Sequence, residues 1–282
     1  MTAPLPGRTP RTPRTPGTPQ TARMPGTPQP PHTPGTPGTP QMPQPPHPPH
    51  PSRPGQAPQD TADAPAAADA PAAASAATLF LARHGETVWH AENRYTGSSD
   101  IALTPRGEEQ AAALGVWAAA AELDAVVSSP LSRARRTAAP ALRATDLPEI
   151  VEDGLREVDF GIGEGRTLAE VRADHPEAVE EFLRNPATRP LPGADDPVAA
   201  AVRGAQALWE VAERYAEARE GGGRVLVVAH NTLCRLVLCH LVGIPLDEYR
   251  RVLPGLRNCA VTEVRMRLTD RRAALLSYNV PT

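Results

Sequence analysis

The chain has 282 residues, of which 40% are hydrophobic and 22% charged, and its formal net charge is −3. This length allows one or two domains, and the near-neutral charge argues against a nucleic-acid or anionic-membrane partner. No apolar run resembles a signal peptide or approaches the roughly 18 residues of a membrane helix. The sequence therefore predicts a cytoplasmic protein with neither a membrane nor a nucleic-acid partner.

The first part of the chain differs sharply in composition from the rest. Residues 1–76 hold 23 of the 35 prolines and eight Thr-Pro dipeptides, with almost no large apolar residue. Such a segment cannot bury a core and favours extended coil. We therefore predict a disordered Pro/Thr/Ala-rich tail and linker over 1–76 and a folded domain over 77–282. The tail could be a ligand for proline-binding modules, a kinase substrate, a solvated extension or the product of an upstream start codon, and its partners stay unknown.

The three cysteines are Cys234, Cys239 and Cys259. They are odd in number, lie on apolar segments and have neither zinc-finger nor CxxC spacing, which favours a reducing compartment. No HExxH motif or carboxylate-rich ligand set occurs elsewhere. The sequence accordingly predicts no metal site and no cofactor.

From Thr78 onward, short apolar runs alternate with longer amphipathic runs, which is typical of strands joined by crossover helices. Thr104 and Pro105 are suited to the N-cap and first position of a helix. The predicted strands are 78–82, 124–129 and 224–229, with a closing hairpin of 258–267 and 273–279 at one sheet edge. The predicted helices are 103–121, 131–144, roughly 197–218 and 231–242, with short helices near 167–184. The pattern indicates an α/β fold with a mostly parallel central sheet.

Polar residues follow three of these strands, at the edge where open parallel sheets bind ligands. The strands end on Arg83-His84, on the serine pair 128–129 and on His230. An imidazole can attack phosphorus without a metal if cations neutralise the phosphoryl oxygens. Arg83 and Arg133 are candidates, because a guanidinium fork matches two phosphate oxygens.

Four segments of the chain carry a family resemblance. LARHGETVWHAENRYTG (81–97) closely resembles the signature of the histidine phosphatase superfamily. The resemblance continues, in the family's order and spacing, through SSPLSRARRTA (128–138), LREVDFGIGEG (155–165) and VVAHNTLCRLVLCHLVG (227–243). It covers nearly the whole predicted domain and none of the tail. It implies the three-layer α/β/α, phosphoglycerate mutase-like fold of the family's branch 1.

The resemblance also implies roles for individual residues. His84 would be the nucleophile, Arg83, Arg133 and His230 would form the phosphate pocket, and Glu157 would be the proton donor. A carboxyl group suits that role, because it can protonate a leaving alkoxide and then deprotonate the water that hydrolyses phosphohistidine.

Two nearby acids, Asp159 and Glu164, could replace Glu157 as the proton donor. The position two residues before Asp-Phe-Gly is where similar phosphatases keep the acid, which favours Glu157.

Further phosphate- or substrate-binding candidates are His90, Thr96, Gly97 and Asn231. Two of them depart from the family pattern, since mutases usually have asparagine at position 90 and glycine is more common at position 231. His90 can still donate a hydrogen bond to a phosphoryl oxygen, and Asn231 can offer its backbone N–H.

The sequence thus predicts a phosphatase that hydrolyses a small phosphorylated metabolite through a phosphohistidine. A phosphoglycerate mutase is the alternative, although DFGIGEG (159–165) and the compact domain favour a phosphatase. A non-catalytic binding protein on the same scaffold is a further alternative, disfavoured by the intact set of site residues. Arg166, Arg189 and Trp89 could form the pocket walls, and the substrate and oligomeric state stay open.

Overall fold

The computed structural model describes residues 75–282, so the predicted tail, apart from its last two residues, lies outside the described part. The strands of the described part are β1 (Ala76–Arg83), β2 (Ala125–Ser128), β3 (Glu149–Val151), β4 (Arg224–Ala229), β5 (Val261–Arg267) and β6 (Arg272–Val280). Its helices are α1 (Pro105–Ala120), α2 (Ser132–Thr145), α3 (Leu168–Asp174), α4 (Pro176–Arg184), α5 (Pro197–Tyr215), α6 (Asn231–Val242) and α7 (Tyr249–Val252). The boundary between tail and domain stays a prediction, although β1 already includes Ala76.

The strands form one mixed sheet in the order β3-β2-β4-β1-β5-β6. β3, β2, β4 and β1 pair in parallel, whereas β5 is antiparallel to both β1 and β6. The predicted mostly parallel sheet with a hairpin at one edge is therefore confirmed.

The two faces of the sheet bury different residues, because successive side chains of a strand point to opposite sides. Phe80 and Ala82 of β1 pack with buried residues of α1 and α2. Leu79 and Leu81 pack with buried residues of α5 and α6. The sheet is thus covered on both faces, which confirms the three-layer α/β/α fold.

Most predicted elements appear within three residues of their expected bounds. The strand at 224–229 and the helix at 231–242 match the structure, and α1 begins at Pro105 with the Thr104 hydroxyl accepting a hydrogen bond from Gly107 N at 3.0 Å. The sequence did not reveal β3. This strand has only three residues, lies at the sheet edge and is largely exposed, so it lacks an apolar run.

A smaller core lies apart from the sheet. Val171, Val179, Phe182 and Leu191 form it, and Tyr95 packs against it. This cluster joins α3 and α4 to the segment that follows β1 and positions Tyr95 for the site described below. No helix of residues 75–282 has the length and apolar character needed to cross a membrane.

Candidate active site

The carboxyl ends of β1 and β4 bring two histidines together. The strands are neighbours, with Arg83 paired to Ala229, and the backbone N–H of His84 donates to the Ala229 carbonyl at 3.0 Å. The ring centroids of His84 and His230 are 5.3 Å apart. The helices that follow these two strands, α1 and α6, pack on opposite faces of the sheet. This is the switch point where open α/β sheets form a ligand crevice.

A cavity of about 390 Å³ opens at this point. Six of the predicted site residues line it, namely Arg83, His84, His90, Thr96, Glu157 and Asn231. The other three, Gly97, Arg133 and His230, lie next to these residues without lining the cavity. The remaining lining residues were not predicted from the sequence, and they are Asn93, Arg94, Tyr95, Phe160, Leu168, Thr232, Arg235, Arg250 and Pro254.

His84 is buried with its ring in a defined orientation. Its Nδ1 lies 2.8 Å from the Gly85 carbonyl oxygen, which can only accept, so the proton of the neutral ring lies on Nδ1. Nε2 therefore carries the lone pair, and it makes no hydrogen bond within residues 75–282. Burial lowers the pKa of His84 well below its ordinary value, and His230 and the positive charges of Arg83 and Arg133 lower it further. The imidazole is thus neutral and able to act as a nucleophile near neutral pH.

Both predicted phosphate-binding arginines are held by the protein itself. Nη1 of Arg83 donates to the Leu256 carbonyl at 2.8 Å, and its Nη2 lies 2.6 Å from Nε2 of His90. The two Nη atoms of Arg133 donate to the carbonyls of Gly97 and Ser99, each at 2.7 Å. Each Nη uses one of its two N–H groups in these contacts, so the second N–H of each Nη is left for another acceptor. Burial lowers the pKa of Arg83 to about 10, and it lowers the pKa of Arg133 too.

Three residues close to His84 carry unpartnered polar atoms. Within residues 75–282, four buried side-chain nitrogen or oxygen atoms have no hydrogen-bond partner, and three of them are Arg83 Nε, Arg133 Nε and His230 Nδ1. The other ring nitrogen of His230, Nε2, lies 2.7 Å from Ser129 Oγ. Burial, with the charges of Arg133 and Arg83, lowers the pKa of His230 well below its ordinary value. Unsatisfied buried donors are costly, so this cluster is suited to an anion.

Glu157 caps α6 from a distant part of the chain. Its Oε2 accepts from Thr232 N at 2.9 Å, and its Oε1 accepts from Leu233 N at 2.8 Å and Val158 N at 3.0 Å. Burial raises the pKa of Glu157, while the three backbone N–H groups and Arg133 oppose that rise. A carboxyl group with a raised pKa in the wall of the cavity can carry a proton that an ordinary glutamate would have lost.

His90 serves Arg83 as an acceptor. Nε2 of His90 lies 2.6 Å from Arg83 Nη2, which can only donate, and Nδ1 of His90 accepts from Thr87 N at 3.0 Å and lies 2.9 Å from Thr87 Oγ1. Burial and the charge of Arg83 lower the pKa of His90 to about 4. That His90 donates a hydrogen bond to a phosphoryl oxygen stays a prediction. His90 helps to hold the guanidinium of Arg83.

The remaining predicted residues shape the backbone around the site. A Cβ at Gly97 would collide with the Val158 carbonyl and the Glu164 carboxylate, so only glycine allows this close approach. The Thr96 hydroxyl makes only a long bond to the Arg94 carbonyl, at 3.3 Å. Oδ1 of Asn231 accepts from Leu256 N at 3.1 Å, which ties the start of α6 to the segment before β5.

Several candidates of the sequence analysis lie outside the cavity lining. Asp159 accepts from Gly161 N at 2.7 Å and Glu164 from Phe160 N at 3.0 Å, so both alternative acids stabilise the loop near Gly161. The three proposed wall residues, Trp89, Arg166 and Arg189, do not line the cavity either. No group of three or more His, Cys, Asp or Glu side chains in the described part of the chain is arranged to hold a metal ion.

Comparisons with known proteins show the family of this chain. The profile of the histidine phosphatase superfamily, branch 1, matches residues 79–281. Phosphoserine phosphatase 1 of Hydrogenobacter thermophilus is 30% identical over 202 residues, which are 72% of this chain and 92% of that protein. A probable phosphoglycerate mutase of Erwinia tasmaniensis is 30% identical over 192 residues, covering 66% of this chain and 83% of that protein. The structure of a mycobacterial glucosyl-3-phosphoglycerate phosphatase aligns with a TM-score of 0.67 and 28% identity over 73% of this chain and 99% of that chain.

Proposed function

Because this chain belongs to the histidine phosphatase superfamily, branch 1, we propose that it hydrolyses a small phosphomonoester through a phosphohistidine on His84. The observation that carries the proposal is the orientation of His84. Its Nδ1–H is held by the Gly85 carbonyl, so that the lone pair of Nε2 is available beside the cavity.

In the first step, Nε2 of His84 attacks phosphorus, a P–N bond forms and the P–O bond to the leaving group breaks. Glu157 gives its proton to the departing oxygen, and the alcohol leaves. Because Oε1 of Glu157 already accepts two backbone N–H groups and Oε2 only one, Oε2 is the better position for that proton. General acid catalysis of this kind contributes roughly 10²- to 10⁴-fold to a rate.

In the second step, Glu157 takes a proton from water while the water oxygen attacks the phosphohistidine. The P–N bond breaks, its electrons return to Nε2, and inorganic phosphate leaves with the other proton of the water. Glu157 is protonated again and His84 is neutral, so the site is ready for another ester.

Arg83, Arg133 and His230 would stabilise the negative charge of the transferred phosphoryl group. The three unpartnered atoms of these residues are N–H groups, or can be in the case of His230 Nδ1. They would donate to phosphoryl oxygens and thereby gain the partners that the protein does not supply. Such preorganised donors stabilise the charge of a transition state without a metal ion.

The proposal is tested by hydrolysis of 4-nitrophenyl phosphate with the full-length chain in the presence of EDTA. The His84→Ala variant should lose at least about 10⁴-fold in kcat/KM, as expected for a nucleophile. His240→Ala, which changes an exposed histidine on α6, is the matched control and should retain activity. A wild-type protein that is inactive, or a His84→Ala variant that keeps its activity, would refute the proposal.

A phosphoglycerate mutase is the second candidate, because the probable mutase of Erwinia tasmaniensis and the phosphoserine phosphatase are equally similar to this chain. Incubation with 3-phosphoglycerate separates the two functions. A phosphatase releases inorganic phosphate, whereas a mutase produces 2-phosphoglycerate with little phosphate release.

A further inference from the structure

The cavity wall away from His84 contains arginines that the proposed reaction does not use. We call the group of Tyr95, Phe182, Arg235, Tyr249 and Arg250 the outer wall. Arg235 and Arg250 line the same cavity as His84 and Glu157. Within residues 75–282, neither forms an ion pair with a carboxylate. By contrast, Arg94 on the same cavity is paired with Glu92 and Glu170.

Arg250 is oriented by neutral groups only. Its Nε lies 3.1 Å from the Tyr249 hydroxyl and its Nη2 lies 3.4 Å from the Tyr95 hydroxyl. Its guanidinium carbon is 4.3 Å from the centroid of the Phe182 ring, which is cation–π geometry. Nη1 makes no hydrogen bond within the described part of the chain. These contacts fix the position of the guanidinium without neutralising its charge.

Arg235 is less available for a ligand. It is buried, its Nε donates to the Asn231 carbonyl at 3.0 Å, and its Nη1 donates to the carbonyls of Leu253 and Pro254 at 3.2 and 3.3 Å. Its guanidinium carbon lies 4.8 Å from the centroid of the Tyr249 ring. Arg235 therefore adds positive charge and holds the backbone, and its Nη2, like Nη1 of Arg250, makes no hydrogen bond within the described part of the chain.

A fixed, partly desolvated cation without a counterion favours an anion at its open side. The phosphoryl group proposed at His84 already has Arg83 and Arg133, so the charge of Arg250 is additional to what a simple ester requires. We propose that Arg250 binds a second anionic group of the substrate, and that the preferred substrate is a small phosphomonoester that also carries a carboxylate or a second phosphate. This inference rests on the proposed phosphatase activity.

The test measures how the full-length chain hydrolyses three esters that share a three-carbon skeleton. Glycerol 3-phosphate has no second anion, 3-phosphoglycerate has a carboxylate, and 1,3-propanediol bisphosphate has a second phosphate. The Arg250→Gln variant should raise KM for the preferred two-anion ester about 10- to 100-fold, which is the range for a hydrogen bond to a charged group. KM for glycerol 3-phosphate and 4-nitrophenyl phosphate should not change, and Arg250→Lys should recover part of the loss.

Arg251→Gln is the matched control, because Arg251 is exposed, pairs with Glu248 and does not line the cavity. The inference is overturned if Arg250→Gln weakens all esters equally, if it changes none, or if the wild type uses glycerol 3-phosphate as well as both two-anion esters. An inactive wild type on 4-nitrophenyl phosphate refutes the phosphatase proposal itself. The identity of the preferred two-anion ester shows whether Arg250 binds a carboxylate or a second phosphate of the substrate.

Discussion

The two ends of the cavity are built in different ways. The phosphoryl end, formed by Arg83, His84, Arg133, Glu157 and His230, is held mainly by backbone groups of loops and of the start of α6. In the outer wall, Arg250 is held by aromatic rings and hydroxyls from a connecting segment and short helices. Backbone groups are present whatever the residue type, whereas side-chain contacts can change with a single substitution. In our proposals, the phosphoryl end therefore supplies the chemistry and the outer wall selects the substrate.

This contrast predicts that changes at the phosphoryl end affect every ester. Glu157→Gln removes the proposed acid and should lower kcat/KM for glycerol 3-phosphate about 10²- to 10⁴-fold. The loss in the first step should be smaller for 4-nitrophenyl phosphate, whose phenolate needs no proton to leave. Glu157→Gln should therefore release a burst of nitrophenolate in the first step. Slow turnover should follow, because the attack of water on the phosphohistidine still needs a base.

The pH dependence follows from the same carboxyl group. Glu157 must be protonated for the first step, and burial raises its pKa, so alkyl-ester activity should fall as pH rises through that value. This alkaline limb should be absent in Glu157→Gln. Asp153→Asn, which changes an exposed acid, is the control and should keep the wild-type profile. An unchanged alkaline limb in Glu157→Gln would exclude Glu157 as the acid.

Gly97→Ala tests the backbone support of the phosphoryl end. The new Cβ would collide with the Val158 carbonyl, so the loop whose carbonyls hold Arg133 has to shift. Misplacement of about 1 Å can cost up to about 10²-fold, and we expect kcat/KM to fall about 10- to 100-fold for all esters. Gly255→Ala meets no atom within 4 Å and should behave like wild type. A selective loss on two-anion esters would contradict the assignment of Gly97 to the phosphoryl end.

Tyr249→Phe tests the outer wall with a smaller change. It removes the hydroxyl that lies 3.1 Å from Arg250 Nε and leaves the ring in place. Loss of one such hydrogen bond should raise KM about threefold for a two-anion ester and leave glycerol 3-phosphate unchanged. An equal change for both esters would mean that Tyr249 supports the whole cavity.

We expect the smallest effect from His90→Asn, which should change how strongly the free energy of unfolding falls at acid pH. The folded-state pKa of His90 is about 4, below its ordinary value of 6.5, so the unfolded chain binds more protons between these values. The contribution of the neutral His90 to the free energy of unfolding is therefore present above pH 6.5 and is lost as pH falls toward 4. Because the ring is only half-buried, solvent screening reduces this contribution to about 1 kcal/mol, or roughly 2–4 °C in Tm.

Thermal unfolding at pH 7 and pH 4.5 measures this difference. The fall in Tm between the two pH values should be smaller in His90→Asn than in wild type. His240→Asn changes an exposed histidine and should leave the fall unchanged. A fall of equal size in His90→Asn would show that His90 is not linked to folding.

The sequence by itself determined the architecture and the pairing of His84 with His230. Buried strands are local apolar runs, Thr104-Pro105 is a local helix start, and His84 and His230 directly follow predicted strands. Two parallel strands that end at one edge place such residues together, so the pairing of the two histidines follows from the pattern. β3 was not predicted, because a strand of three largely exposed residues at a sheet edge contains no apolar run.

Only the tertiary structure decided how these residues are held and what surrounds them. The side chain of His90 contacts the guanidinium of Arg83, and Glu157 reaches the start of α6 across 75 residues. Arg250 meets the Tyr95 hydroxyl across 155 residues, and no local pattern marks either residue. Periodicity reports which face of an element is buried, whereas partners from distant segments are set by the packing of α3, α4 and α7 over the strand ends. The outer wall, and with it the proposed choice of substrate, therefore becomes visible only in the folded chain.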